Sequence, residues 1–315
     1  MLVWIIWTLG QLQGDVACCA GTAPRIGRPS PGDRPLVVFA YAESEVARTN
    51  LEFFIKKGVH RRADFVFVFN GPTDATEMIP RLPNVWQVRR NNTCFDIGAI
   101  GEVLRIDGLW RRYKRFITMN ASIRGPFLPV YSNACWSDLF LNRLNDHTKL
   151  VGMTMNCIPR PHVQSMLWAT DSVSMSILQD PLLANKTGHE DIYGAADDPV
   201  GMSGCYNTWD AAVHAEIGTT ELVTSQGYAV DAMMTAFHGT QGTEAYCEAN
   251  LGPPDPFFDK QYFGANVHPY ETVFMKANRD IEPVLLERLT TWNKNRNFNA
   301  WNACGPDEHQ SKGWW

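Results

Sequence analysis

At 315 residues the chain is long enough for one α/β domain with a full core, and 45% hydrophobic against 19% charged residues excludes a globally disordered chain. Lys plus Arg number 28 against 33 Asp plus Glu, a formal net charge of −5. No basic excess exists to hold a nucleic-acid backbone, and no run approaches the roughly 20 apolar residues of a membrane helix, so the chain reads as soluble with no nucleic-acid partner.

Residues Met1 to Gly10 (MLVWIIWTLG) are apolar but short, and lack the Lys or Arg that opens a signal peptide or anchor. They read either as the stub of a truncated membrane anchor or as a miscalled start. Seven of the fifteen residues at 21–35 are Gly or Pro, a linker composition, so the folded domain is expected to begin near Pro35. The expected division is 1–35 stub and linker, 36–292 catalytic domain, and 293–315 irregular tail.

Leu36 to Ala42 (LVVFAYA) is a continuous apolar run, the pattern of a strand covered on both faces in a parallel sheet. From Ser44 to Val59 the apolar spacing is helical, with Ser44 placed to cap and Gly58 to end the helix. Ala63 to Phe69 is a second buried strand closed by Asn70-Gly71-Pro72, Asn84 to Val88 a third, and Tyr113 to Met119 a fourth ending at Asn120; a helix starts at Phe95. The second half reads as a strand over 150–155, a helix over 163–178, a Gly- and Asp-rich loop over 188–204, a helix over 211–226 and helical spacing over 273–288 around Pro283. Such alternation predicts an α/β fold with a mostly parallel central sheet and flanking helices, whose ligands bind at the carboxyl ends of the strands.

The eight cysteines are too sparse for a disulfide scaffold, and no Cys-x-x-Cys pair suggests zinc. Sequons at Asn91, Asn120 and Asn185 lean toward the Golgi or another secretory lumen, with the cytoplasm as the alternative. No dinucleotide or P-loop glycine fingerprint occurs, Gly98 and Gly101 being out of frame, which argues against hydride transfer and ATP hydrolysis. The absence of a Gly-x-Ser-x-Gly elbow argues against an α/β-type hydrolase.

Four phrases stand in order: Asn91-Asn92-Thr93-Cys94-Phe95-Asp96-Ile97-Gly98-Ala99, Met119-Asn120-Ala121-Ser122-Ile123-Arg124-Gly125-Pro126, His162-Val163-Gln164-Ser165 and His268-Pro269-Tyr270-Glu271-Thr272-Val273-Phe274. Together they resemble the nucleotide-sugar glycosyltransferases of the GT-A fold, near the rhamnan synthesis protein F group, over about residues 36 to 290. The resemblance implies a sugar transfer from a nucleoside diphosphate to a hydroxyl of a glycan or other acceptor, with inversion at the anomeric carbon. Where that family carries Asp-x-Asp for Mn²⁺ or Mg²⁺, this chain has Asn120-Ala121-Ser122, a poor cage for a hard cation. Either Asp96 or another acid supplies the charge, or Arg124 and helix N-termini take the metal's place against the diphosphate.

The expected donor-binding residues are therefore Asp96, Asn120, Ser122, Arg124 and His268. Asp96 reads equally as a hydroxyl acceptor and as a helix cap, and His268 equally as a ligand and as a structural residue. By the same resemblance an acid opens a helix about ten residues before a Gly and an aromatic. Glu216, ahead of Gly227-Tyr228, fits that place as the base, with Glu221 as its rival. Trp168 and Trp209 are candidates to stack on an acceptor sugar, the alternative being ordinary core. A catalytically silent nucleotide-sugar or glycan binder is the competing function.

Overall fold

The computed structural model describes residues 33–249 and 255–305. The apolar N-terminal segment, most of the Gly/Pro-rich stretch and residues 306–315 of the tail lie outside the described residues. Among the described residues no helix is long and apolar enough to cross a membrane.

The first half alternates as expected: β1 (Leu36–Ala42), α1 (Glu45–Lys57), β2 (Asp64–Asn70), β3 (Val85–Arg90), α2 (Phe95–Arg105) and β4 (Arg115–Asn120). Ser44 caps α1 by accepting from the Ala47 N–H at 3.1 Å. Next come β5 (Ile123–Arg124), α3 (Trp136–Leu141), β6 (Thr148–Gly152), β7 (Met155–Asn156), β8 (His162–Val163), β9 (Leu167–Asp171), α4 (Ser172–Leu178) and α5 (Pro181–Ala184). The chain ends through α6 (Trp209–Thr224), β10 (Ala229–Ala232), α7 (Thr235–His238), α8 (Thr243–Ala249), α9 (Pro269–Thr272), β11 (Met275–Lys276), α10 (Pro283–Asn295) and α11 (Ala300–Ala303).

Seven strands form one sheet in the order β10-β6-β9-β4-β1-β2-β3. Every neighbouring pair is parallel except those of β9, which runs antiparallel to both β4 and β6. The expected α/β class and mostly parallel sheet with flanking helices therefore stand. The helix expected over 163–178 is corrected: only Ser172–Leu178 is helical, and Leu167–Asp171 is the antiparallel strand. A short apolar run buried on both faces has no periodicity that separates strand from helix. No long helix lies between β6 and β9, and a parallel return requires a crossover of a dozen or more residues, usually helical. The helix expected over 273–288 likewise divides into β11 and α10, which starts at Pro283, a residue suited to a first helical turn.

Strand alternation sorts the core into two layers. Phe65, Phe67 and Phe69 of β2 face the side of Phe53 and Phe54 on α1, whereas Val66 and Val68 face the side of Ile97 and Ile100 on α2. Each side packs one helical layer against the sheet, which leaves the carboxyl ends of β1, β2 and β4 open at one edge.

Disulfides join Cys94 to Cys205, Cys135 to Cys304 and Cys157 to Cys247. Six scattered cysteines thus form three long-range clamps, a use that density alone does not reveal. One of them corrects the reading of the tail. Over 293–305 the chain holds the end of α10, then α11, then Cys304, and Arg61 lies 4.7 Å over the Trp301 ring. Helices this short leave no readable period in the sequence.

A buried histidine gives this fold a pH dependence. His60 is wholly buried between the rings of Phe65 and Trp136, and its Nε2 has no hydrogen-bond partner. Burial, with the charges of Arg62 and Arg34, pushes its pKa down to about 3. Between pH 6.5 and 3 the unfolded chain therefore binds a proton that the folded chain refuses, and stability falls with acidification by about 1.4 kcal/mol per pH unit. Buried Asp64, whose pKa is raised mainly by burial, acts in the opposite sense. We expect the melting temperature of the wild type to drop more between pH 7 and pH 5 than that of His60→Phe, which keeps Asp64; equal drops in melting curves would rule out His60 as the cause.

Candidate functional site

A cavity of about 670 Å³ opens at the carboxyl ends of β1, β2 and β4, a size that suits a ligand of nucleotide-sugar dimensions. Its floor is Ala40 to Ala42 with Ala121. Polar groups arrive from Asp96 on α2, Asn120 at the end of β4 and Ser122 just after it, Glu216 on α6, and Lys276 and Arg279 on and after β11.

Asp96, Asn120 and Ser122 form one hydrogen-bonded chain. The Asn120 amide donates to Asp96 Oδ2, while Asn120 Oδ1 accepts from the Ser122 N–H at 3.0 Å and the Ser122 hydroxyl at 2.6 Å. Asp96 Oδ1 accepts from the Ile97 N–H at 3.0 Å. Cys94, not Asp96, stands at the cap of α2, with a left-handed φ of 70°. Asp96 lies in the first turn, where the helix dipole favours a carboxylate. Behind it, α2 presses on the chain before α6: a Cβ on Gly98 would lie 2.8 Å from the Gly204 carbonyl, and one on Gly101 only 1.9 Å from that of Met202. These two glycines outside any nucleotide frame serve that approach, and the Cys94–Cys205 disulfide fixes it.

A divalent cation would need an oxygen cage at this place. Asn120-Ala121-Ser122 offers an amide oxygen already taken by Ser122 and a neutral hydroxyl; of the two carboxylates that line the cavity, Asp96 is bonded by the Asn120 amide and Glu216 is held by the Ser165 N–H. That donor set does not fit Mg²⁺ or Mn²⁺.

Cationic charge comes instead from Lys276 and Arg279. β11 pairs antiparallel with β5, and the Ala277 N–H donates to the Ser122 carbonyl at 2.8 Å, which sets Lys276 beside the end of β4. Burial lowers the Lys276 pKa, and the carboxylates of Glu216, Asp255 and Asp96 act against that shift. Arg279 lies 3.5 Å from Asp255 and 4.7 Å over the Phe258 ring. Glu216 is the eighth residue of α6 and does not open it, because Thr208 caps the helix well upstream. The Ser165 N–H donates to Glu216 Oε1 at 2.7 Å and points the carboxylate at the cavity. Trp209, 62% exposed, meets Phe95 edge to face at the cavity lip, with ring centroids 6.4 Å apart.

Four other expected site residues lie elsewhere. Arg124 is buried on the far side of its strand, bonded to Asn50 at 2.8 Å and Glu287 at 2.7 Å, a tie between α1 and α10. His268 is an exposed cap of α9, accepting from the Tyr270 N–H at 3.1 Å. Glu221 faces away from the cavity, 2.7 Å from His189 and 3.3 Å from Arg160. Trp168 is core, its indole N–H donating to the Val163 carbonyl at 3.0 Å. Lys276 and Arg279 carried no sequence signal beyond their place just after the phrase that ends at Phe274.

No family model and no curated protein matches the chain. Among solved structures it is similar to the bifunctional glycosyltransferase WbbM (11% identity, TM-score 0.35, covering 81% of this chain and 52% of that one). It is also similar to the glycosyltransferase GlyE of Streptococcus pneumoniae TIGR4 (8%, 0.31, 46% and 36%). A third similarity is to a cytidylyltransferase from Leptospira borgpetersenii serovar Hardjo-bovis strain JB197 (11%, 0.29, 46% and 63%). The chain spans less than two thirds of the length of each. Likeness of this degree says nothing of activity, which has to be argued from the cavity itself.

Proposed function

We propose that the chain is a glycosyltransferase that moves a sugar from a nucleoside-diphosphate donor to a hydroxyl of a glycan or other acceptor, with inversion. The observation that carries this reading is the convergence of one carboxylate, Glu216, and two cations, Lys276 and Arg279, on a cavity at the ends of parallel strands. In the proposed step the Glu216 carboxylate takes the proton of the acceptor hydroxyl as its oxygen bonds to the anomeric carbon. The bond from that carbon to the diphosphate oxygen breaks, its electron pair leaves with the diphosphate, and Lys276 and Arg279 neutralise the growing charge. Asp96 is suited to accept from a ribose or sugar hydroxyl, and Trp209 to stack on an acceptor sugar. No divalent ion enters this scheme, because the Asn120-Ala121-Ser122 donor set does not fit one.

The narrower placement near the rhamnan synthesis protein F group rests on the four sequence phrases alone. A secretory lumen as the working compartment is supported by the three disulfides and by the exposed sequon at Asn185. The sequon at Asn120 is already engaged with Asp96 inside the cavity and is a poor acceptor. Loss of Asp-x-Asp also favours the second reading, a silent nucleotide-sugar binder.

A nucleotide-sugar panel separates the two. The donor is expected to raise the melting temperature by mass action, equally with and without Mn²⁺, and to release nucleoside diphosphate once an acceptor is present. Stabilisation without release identifies a binder, and no stabilisation by any nucleotide-sugar removes both readings.

A further inference from the structure

On the side of α6 turned away from the cavity, ionisable side chains close around one buried point. His214 and Glu221 are seven residues apart, two turns, and share a face of α6 from which Glu216 is excluded. The loop before α6 brings His189 and Asp191 against that face. His189 Nε2 lies 2.8 Å, and His214 Nδ1 3.2 Å, from the same oxygen, Asp191 Oδ2. All three side chains are 1% exposed, and neither ring nitrogen of His214 has a hydrogen-bond partner. The buried His214 ring thus faces a carboxylate without a well-directed hydrogen bond to it, a costly arrangement for an imidazole.

The surrounding groups orient these three. Glu221 Oε2 is 2.7 Å from His189 Nδ1, so this ring is held between two carboxylates, Glu221 on Nδ1 and Asp191 on Nε2; Glu221 is in turn paired with Arg160. Asp191 Oδ1 accepts from the Tyr193 N–H at 2.7 Å and the Gly194 N–H at 3.0 Å, leaving Oδ2 for the two imidazoles. Two imidazole nitrogens therefore converge on one buried carboxylate oxygen, an arrangement that a positive centre at this point would stabilise. The backbone is opened for both rings: a Cβ on Gly194 would lie 2.5 Å from the His214 ring, and one on Gly218 2.9 Å from that of His189.

We propose that His189, Asp191 and His214 bind a zinc ion that clamps the loop over 188–204 to α6, with Glu221 as the carboxylate that orients His189. Two imidazole nitrogens and one carboxylate oxygen form a zinc donor set, and a carboxylate on the far nitrogen of a ligating histidine is its usual companion. Metal bonds of about 2.0–2.2 Å in a tetrahedron set ligand atoms roughly 3.3–3.6 Å apart; the separations here are 2.8 and 3.2 Å, so a bound ion would spread the ligand atoms by a few tenths of an ångström. The site shares no ligand with the donor cavity and its function is to hold the loop that leads through Cys205 to Cys94.

Elemental analysis of the full chain, purified without metal-affinity resin, is expected to find about one zinc per chain. His214→Ala and His189→Ala are expected to lose it, whereas Asp96→Asn, in the donor cavity, keeps it. A chelator is expected to lower the melting temperature by several degrees, with recovery on Zn²⁺ but not Mg²⁺. If the histidine variants do not fold, Glu221→Gln removes only the orienting carboxylate and is expected to weaken zinc affinity by about 10- to 100-fold against a chromophoric chelator. Less than a tenth of an equivalent of zinc with no thermal response to added Zn²⁺, zinc retained by folded His214→Ala, unchanged affinity in Glu221→Gln, or iron or copper in place of zinc would overturn the assignment. In the first of these cases the cluster is a protonated imidazolium held between carboxylates.

Discussion

Glu216→Gln is expected to lower turnover by about two to four orders of magnitude with donor affinity nearly unchanged, the usual effect of losing a general base. An acceptor hydroxyl is a weak nucleophile at neutral pH, so inversion requires a carboxylate aimed at the place where that hydroxyl attacks. α6 holds Glu216 against the cavity while the Ser165 N–H fixes one oxygen, and a carboxylate has acceptor capacity left for an incoming hydroxyl. Glutamine keeps the shape and accepts the Ser165 hydrogen bond but cannot take a proton. Glu221→Gln serves as the comparison. It lies on the opposite face of the same helix, bound to His189 and Arg160, so its turnover per folded molecule is expected to stay within a few-fold of wild type. Single-turnover kinetics at saturating donor check both. Full activity in Glu216→Gln would mean that the transfer retains configuration or that another group accepts the proton.

The parallel half of this fold is legible in the sequence because β1 and β2 are buried on both faces and therefore read as unbroken apolar runs. Ser44 and Gly58 mark the ends of α1 for a local reason, hydrogen bonding at the cap and termination. The second half is less legible because its elements depend on partners far along the chain. Leu167–Asp171 becomes an antiparallel strand through pairing with β4 and β6, a relation no window of local spacing contains.

The same distinction governs the cavity. Asp96, Asn120 and Ser122 follow strand or helix ends visible in the sequence, and they do meet there. Arg124 follows the same strand but sits two residues past Ser122, where its side chain crosses to α1 and α10. His268 sits in a phrase that resembles a site but caps a short helix. Lys276 enters only because β11 pairs with β5 across some 150 residues, and sequence periodicity carries no trace of a two-residue strand.

That pairing leads to the second large expected effect, on the donor. Lys276→Met is expected to weaken binding of the nucleoside diphosphate by about 10- to 100-fold, the range that follows from losing one charge-assisted hydrogen bond worth about 1.5–3 kcal/mol. Methionine keeps most of the aliphatic stem, so the half-buried position stays filled while the charge is removed. The loss falls on the diphosphate because Asn120-Ala121-Ser122 supply neither a carboxylate nor a cation, leaving Lys276 and Arg279, among the described residues, as the positive groups that line the cavity. Arg124→Ala acts differently: it removes the buried guanidinium that ties Asn50 on α1 to α10 and leaves the buried Asn50 Oδ1 without that donor, so the expected loss is in stability, with donor affinity per folded molecule retained. Calorimetric titration with nucleoside diphosphate, alongside thermal melts of both variants, distinguishes the two. If Lys276→Met binds as tightly as wild type in chelator-treated buffer while wild-type binding requires Mn²⁺, a metal neutralises the diphosphate and the cationic role assigned to Lys276 is wrong.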